Sequence, residues 1–241
     1  MRTCAAIWIA ISLAGPSFAG ECEDISFEGA SYTICKADPA TETIRVHLNS
    51  ADGTLLGSFG NLEAELGETP LWAMNAGMYH DDRRPVGLYI ENGAEIAPIV
   101  TREGPGNFGL LPNGVLCLSA GSARVYEARQ FADERPDCAY ATQSGPMLVI
   151  EGTLHPRFLE DSDSLFRRNG VGVTQGGMLI AAISNERVNF HSFARLFRDI
   201  LKTPNALFLD GNISRLHAPN LGRQDVGFPM GPILSVTATG G

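Results

Sequence analysis

The strongest constraint on how this chain folds is the spacing of its turns. Short apolar runs recur along it, and glycine pairs or Asn-Gly break them up. Residues 86–90 and 95–99 flank Glu91-Asn92-Gly93-Ala94, and Asn-Gly is the dipeptide that a two-residue hairpin turn favours, because its central residues take positive φ. Residues 114–118 and 123–126 repeat the pattern. So do residues 170–174 and 178–183, about Gln175-Gly176-Gly177, and the run 147–150 turns at Glu151-Gly152. Residues 32–36 and 43–48 read as the strands of a first hairpin. In the second of these, Ile44, Val46 and Leu48 alternate with Arg45 and His47, the period of a half-buried strand. One helix stands out. Phe193, Leu196, Phe197, Ile200 and Leu201 share a face opposite Arg195, Arg198, Asp199 and Lys202. Ser192 or Asn189 caps its start and Thr203-Pro204 ends it. Shorter helical stretches cover residues 63–68 and 128–134. Hairpins with a few helices packed on the sheet define a strand-rich α+β single domain.

The first 19 residues read differently. Arg2 is followed by an apolar stretch over residues 5–15 and then by Ser17-Phe18-Ala19. A basic start, a short apolar core and a small-x-small exit make a secretory signal peptide, cleaved after Ala19. The apolar stretch is shorter than the roughly 20 residues that a bilayer span needs, so residues 20–241 form the exported domain. A lipoprotein anchor does not fit, because Glu21 directly precedes Cys22. The formal net charge of −9 argues against nucleic acid or an anionic membrane as the main partner. Cys22, Cys35, Cys117 and Cys138 remain after cleavage. An even count in an exported chain points to disulfides. Three pairings are possible; the local ones, Cys22–Cys35 and Cys117–Cys138, are expected because each pair flanks a hairpin. No Cys-x-x-Cys, paired histidines or calcium-loop pattern is present, so neither a metal site nor a cofactor is expected.

Chemistry concentrates in loops that follow strands. The apolar run of residues 206–209 ends in Asp210-Gly211, which lifts one carboxylate to the rim of a sheet. Such a carboxylate serves as base, nucleophile or clamp for sugar hydroxyls; its structural alternative is an Asx turn. Asn75 and Gly77 follow another strand, with Tyr79 just beyond, and Asn75 can orient a polar substrate. Gln143, Ser144 and Gly145 precede a third. Ser144 lacks the Gly-x-Ser-x-Gly elbow of a hydrolase nucleophile, whereas Gly145 allows a ligand close to the backbone. Arg167 and Arg168 precede a glycine-rich strand and offer forked donors for phosphate or carboxylate.

Together these motifs resemble the phosphodiester glycosidase family, whose animal member removes N-acetylglucosamine from a phosphodiester on lysosomal enzymes. The resemblance spans residues 72–236. The family's Asn-Ala-Gly-aromatic-aromatic loop is similar to Asn75-Ala76-Gly77-Met78-Tyr79. Its Gln-Ser-Gly-Pro-x-Leu segment matches Gln143-Ser144-Gly145-Pro146-Met147-Leu148, and its Arg-x-x-x-Gly-Val segment matches the chain from Arg168 to Val173. Its helix, apolar strand and Asp-Gly match residues 190–211. The chain departs from the family at Met78, at residues 224–232, and after Asp210. There Gly211-Asn212-Ile213-Ser214 stands in place of a Gly-Gly-Gly-Ser run. This pattern implies a divergent bacterial branch, so the substrate of the animal enzyme is not carried over.

The expectation is an exported glycosidase, periplasmic or secreted, that hydrolyses a sugar-1-phosphodiester on an envelope or exported glycan. Asp210 would serve the sugar side, Arg168 with Arg167 the phosphate. Asn75, Gln143 and Ser144 would orient a carbohydrate phosphodiester or polysaccharide, with Gly77, Tyr79, Gly145, Gly211 and Ser214 shaping the pocket. The alternative from another class is a non-catalytic periplasmic glycan-binding protein using the same loops. A third reading is a hydrolase of another phosphodiester, such as a lipid-linked sugar phosphate.

Overall fold

The computed structural model describes residues 20–211 and 213–239. The expected signal peptide lies outside these residues. Three sheets, antiparallel throughout, carry the fold. The seven-stranded sheet runs in the order Cys22–Phe27, Ala30–Ala37, Leu179–Ser184, Asn169–Val173, Asn205–Asp210, Met147–Ile150, Thr153–Leu154. A five-stranded sheet orders Arg223–Gln224, Leu216–Ala218, Trp72–Asn75, Ile233–Ala238 and Glu42–His47. The other five-stranded sheet orders Ala94–Ala97, Tyr89–Glu91, Tyr140–Ser144, Gly114–Ser119 and Ser122–Glu127. The architecture is α+β and mostly β.

One core joins the three sheets. Trp72 and Met74, Leu116 and Val125, and Val171, Leu207 and Leu209 belong to a single buried cluster. The other face of the seven-stranded sheet carries the helix Phe190–Arg195 and a π-helical turn, Leu196–Ile200. Phe193, Leu196 and Phe197 pack there on Leu148, Ala206 and Phe208. Alternate residues of Asn205–Asp210 therefore face two cores, which explains why its sequence is apolar without a break. Asn189 caps the helix by accepting from the Ser192 N–H. The widened turn at residues 196–200 rotates Ile200 to the surface, where it is 47% exposed. The sequence places it with the buried face, because an unbroken 3.6-residue period is assumed.

The hairpins at Asn92-Gly93, at Gly121, at Glu151-Gly152 and at Gly176-Gly177 form as the turns require. The first hairpin does not. Ala30–Ala37 pairs with Cys22–Phe27 and Leu179–Ser184, whereas Glu42–His47 pairs with Ile233–Ala238 in another sheet. Alternation gives a strand's faces but not its partner. Cys22 and Cys35 sit opposite each other and are bridged, as are Cys117 and Cys138. No helix among the described residues is long and apolar enough to cross a membrane.

Candidate functional site

Asp210 closes its strand on an irregularity. Asn169 faces Asp210 but Gly170 faces Phe208, so Leu209 is one extra residue, a β-bulge. A bulge re-aims the next side chain and ends the ladder. Asp210 is half-buried at the edge of a cleft of about 630 Å³, shared with Met78, Tyr79, His80, Arg83 and Ile213 and bounded by residues 105–108. The loop that follows the Asn75 strand thus reaches Asp210, as the sequence suggested.

A buried amide network holds this edge. Asn169 Nδ2 donates to Asn75 O at 3.0 Å and Asn75 Oδ1 at 2.9 Å. Asn169 Oδ1 accepts from the Asp210 N–H at 3.0 Å, and Asn75 Oδ1 accepts from the Arg215 N–H at 2.8 Å. A backbone N–H only donates, so these two bonds fix which end of each amide is oxygen. Asn75 Nδ2 is then a buried donor with no partner among the described residues. Ser214 Oγ lies 2.8 Å from Asp210 O and 3.1 Å from Arg167 O, so it closes the Asp210–Ser214 turn. Ser144 Oγ donates to Leu209 O at 2.8 Å and ties another sheet to the bulge. Gly77 has φ of +128°, and a Cβ there would lie 2.9 Å from Thr142 Oγ1, so the turn after Asn75 seats directly on the strand Tyr140–Ser144. Gly211, in the turn after Asp210, packs on the Phe208 ring, from which a Cβ would lie 3.1 Å.

Three sequence-predicted residues take other places. Arg168 is fully buried. Its Nε donates to Val188 O and its Nη2 to Ser164 O, both at 2.8 Å, and the guanidinium stacks over Phe190 with 3.6 Å to the ring centre. Burial pushes its pKa down to about 10. Enclosed in this way it braces the strand before Asn169 and does not reach a phosphate in the cleft. Gln143 is consumed as well. Its Oε1 accepts from the Leu88 and Val100 N–H groups, and its Nε2 donates to Val100 O and Asn113 Oδ1. All four of its hydrogen-bonding positions are used, so it braces loops. Gly145 serves packing, since a Cβ on it would lie 2.6 Å from Asn113 Cβ. Arg167 remains exposed beside the turn.

Two residues were missed by sequence reasoning. Asn169 stands inside the Arg168–Val173 motif, and only the cross-strand register shows it to be the hub. Arg215 follows the Asp210 turn, 8% exposed, with its guanidinium packed against Gly227. Tyr79 connects these groups. Burial, and then the Asp210 carboxylate, push its phenol pKa up, while Arg83 and Arg215 pull it down. Arg83 also lies over its ring at 5.3 Å.

A rigid strand end that presents a carboxylate to a polar cleft, with tyrosine and arginine beside it, has groups able to serve chemistry at a sugar carbon. The chain belongs to the phosphodiester glycosidase family, which matches residues 69–218. It is 31% identical over 216 residues to the uncharacterized protein YigE of Escherichia coli K12, covering 88% of this chain and 84% of that one. Among solved structures, the catalytic domain of zebrafish N-acetylglucosamine-1-phosphodiester alpha-N-acetylglucosaminidase, auto-inhibited by its pro-peptide, shares the fold. Its TM-score is 0.58 at 15% identity, over 90% of this chain and 82% of that domain. A hypothetical protein from Synechocystis gives a TM-score of 0.61 at 13% identity over 90% of this chain, which spans 61% of that protein.

Proposed function

We propose that this chain is an exported glycosidase that hydrolyses a sugar-1-phosphodiester to free sugar and phosphomonoester. The observation that carries the reading is Asp210, set by a bulge at the mouth of a polar cleft and held through the Asn169–Asn75 network. Family membership supplies the reaction class.

In this reaction the bond from the anomeric carbon to the bridging oxygen breaks, and that oxygen leaves with the phosphate. Water adds its OH to the anomeric carbon, and its second proton passes to a base or to solvent. Phosphate is a stable leaving group, so a strong general acid is not demanded. The need is to stabilise positive charge at the sugar and negative charge at phosphate. Asp210 takes the first role, as base, nucleophile or cation stabiliser. Tyr79, which shares its cleft, donates to a substrate oxygen. Asn75 and Asn169 act as positioning residues behind it. The two disulfides suit a periplasmic or secreted protein, and an envelope or exported glycan fits that location.

The test is sugar release from a panel of sugar-1-phosphodiesters, α-N-acetylglucosamine included, by wild type and Asp210→Asn. Release that collapses in a folded Asp210→Asn variant is expected. No release from any member, together with saturable glycan binding by wild type, would replace the enzyme with a binding protein.

A further inference from the structure

The Asp210 turn leads to a second charged group, Arg215, which is held by no side-chain ion pair among the described residues. Arg215 is more than nine-tenths buried, yet its guanidinium makes no hydrogen bond or ion pair among the described residues. Its backbone N–H is held by Asn75, so the position of the side chain's root is fixed. The contrast with Arg168 is informative. Arg168 spends two nitrogens on backbone carbonyls and has its third sealed from solvent; no nitrogen of Arg215 is sealed. Asp225, the nearby carboxylate, is engaged by Arg223 at 2.8 Å and by the Leu216 N–H at 3.0 Å.

Arg215 is not itself among the residues lining the cleft and adjoins it through Tyr79, which is. Residues 227–231 cross above the guanidinium and Tyr79. A Cβ on Gly227 would overlap the Arg215 guanidinium, and a Cβ on Gly231 would lie 2.6 Å from the Tyr79 ring. Arg215 and Tyr79 are within electrostatic reach of each other, and Tyr79 within reach of Asp210. Its nitrogens keep access to solvent, and five N–H donors in a planar fork suit an oxyanion.

We propose that Arg215 is the phosphate-binding residue of the site, gripping the non-bridging oxygens of the diester and of the departing phosphomonoester. This assignment rests on the glycosidase reading for its choice of phosphate over other oxyanions. It places a cation on the phosphate side and Asp210 on the sugar side. Gly227 is the position that leaves the fork its room.

The test measures anion binding apart from turnover. Thermal unfolding of the full chain is followed with dimethyl phosphate, inorganic phosphate or acetate, in wild type, Arg215→Met, Arg215→Lys and Asp210→Asn. Both phosphates are expected to raise the wild-type Tm, and acetate to raise it far less. The response should persist in Asp210→Asn, weaken about tenfold in apparent affinity in Arg215→Lys, and vanish in Arg215→Met. Without anion, Arg215→Met should unfold no earlier than wild type, because it removes an uncompensated charge. A structural arginine predicts the opposite: a lower Tm in Arg215→Met. Wild type that ignores phosphate, or Arg215→Met or Arg215→Lys that responds as wild type does, overturns the assignment. If the phosphate response is present but no diester is hydrolysed, Arg215 stands and the glycosidase reading falls. Hydrolysis with a KM unchanged in Arg215→Lys leaves the glycosidase and removes Arg215.

Discussion

Replacing Asn169 by alanine is the most direct probe of how the site is held. The side chain is fully buried and bonds the Asn75 carbonyl, the Asn75 side-chain oxygen and the Asp210 N–H. Each buried polar group left without a partner costs about 1–3 kcal/mol, so Asn169→Ala should lose about 4 kcal/mol of stability. Asp210 also loses its anchor, and a shift of about 1 Å in a reacting group can cost about 100-fold in rate. Urea unfolding at pH 7 and turnover of a sugar-1-phosphodiester read the two losses. Asn169→Asp sharpens the test, because it keeps the shape. When ionised it still accepts from the Asp210 N–H but faces two Asn75 oxygens with no proton to offer. Its loss should therefore shrink on acidification relative to wild type at the same pH, as a protonated carboxyl regains a donor. A cost under about 1 kcal/mol for Asn169→Ala, with turnover within twofold of wild type, would refute the network as the support of Asp210.

Four further outcomes follow from the same geometry. Asp210→Asn should lower kcat by about 1,000-fold or more with a Tm close to wild type, measured on the best diester of the panel. Arg168→Leu should cost about 3 kcal/mol in urea unfolding by stripping partners from Val188 O and Ser164 O, with no selective effect on KM. His47 is buried against Ser235 at 2.8 Å, and desolvation, then Arg45, push its pKa down to about 4. The unfolded chain takes up this proton near pH 6.5, so stability is complete above that value and declines as pH falls to about 4, by about 3 kcal/mol. In His47→Gln this part of the pH dependence of unfolding should be missing. Reducing Cys22–Cys35, which closes a loop of 13 residues, should cost about 3 kcal/mol, seen as an earlier urea midpoint in reductant.

Much of this architecture can be read from residues close in sequence. Asn92-Gly93 and Gly176-Gly177 specify hairpins because positive φ is a local demand, and Glu127 caps the helix Ala128–Glu134 from the adjoining position. The strand end at Asp210 is legible for a similar reason: an apolar run that stops at Asp-Gly marks where a strand gives way to a turn. Partners across the sheets are not. Nothing in residues 43–48 says that they pair with Ile233–Ala238. Arg168 and Arg215 show the same limit in side chains. Both are arginines beside glycine-bearing segments, and only three-dimensional packing reveals that aromatic rings and carbonyls satisfy one while the other's guanidinium has no hydrogen bond among the described residues. Gln143 looked available because its hydrogen-bond partners lie on loops near residues 88, 100 and 113, remote in the chain.

The bulge edge draws on all three sheets: Asn75 from one, Ser144 from another, Asn169 and Asp210 from the third. The candidate site is therefore a property of the assembled whole. A folding intermediate with any one sheet undocked has every side chain it needs and no site. On the proposed glycosidase reading, diester turnover is a sensitive gauge of tertiary integrity. It should disappear on partial unfolding before backbone signals change, and return only with the last sheet to dock.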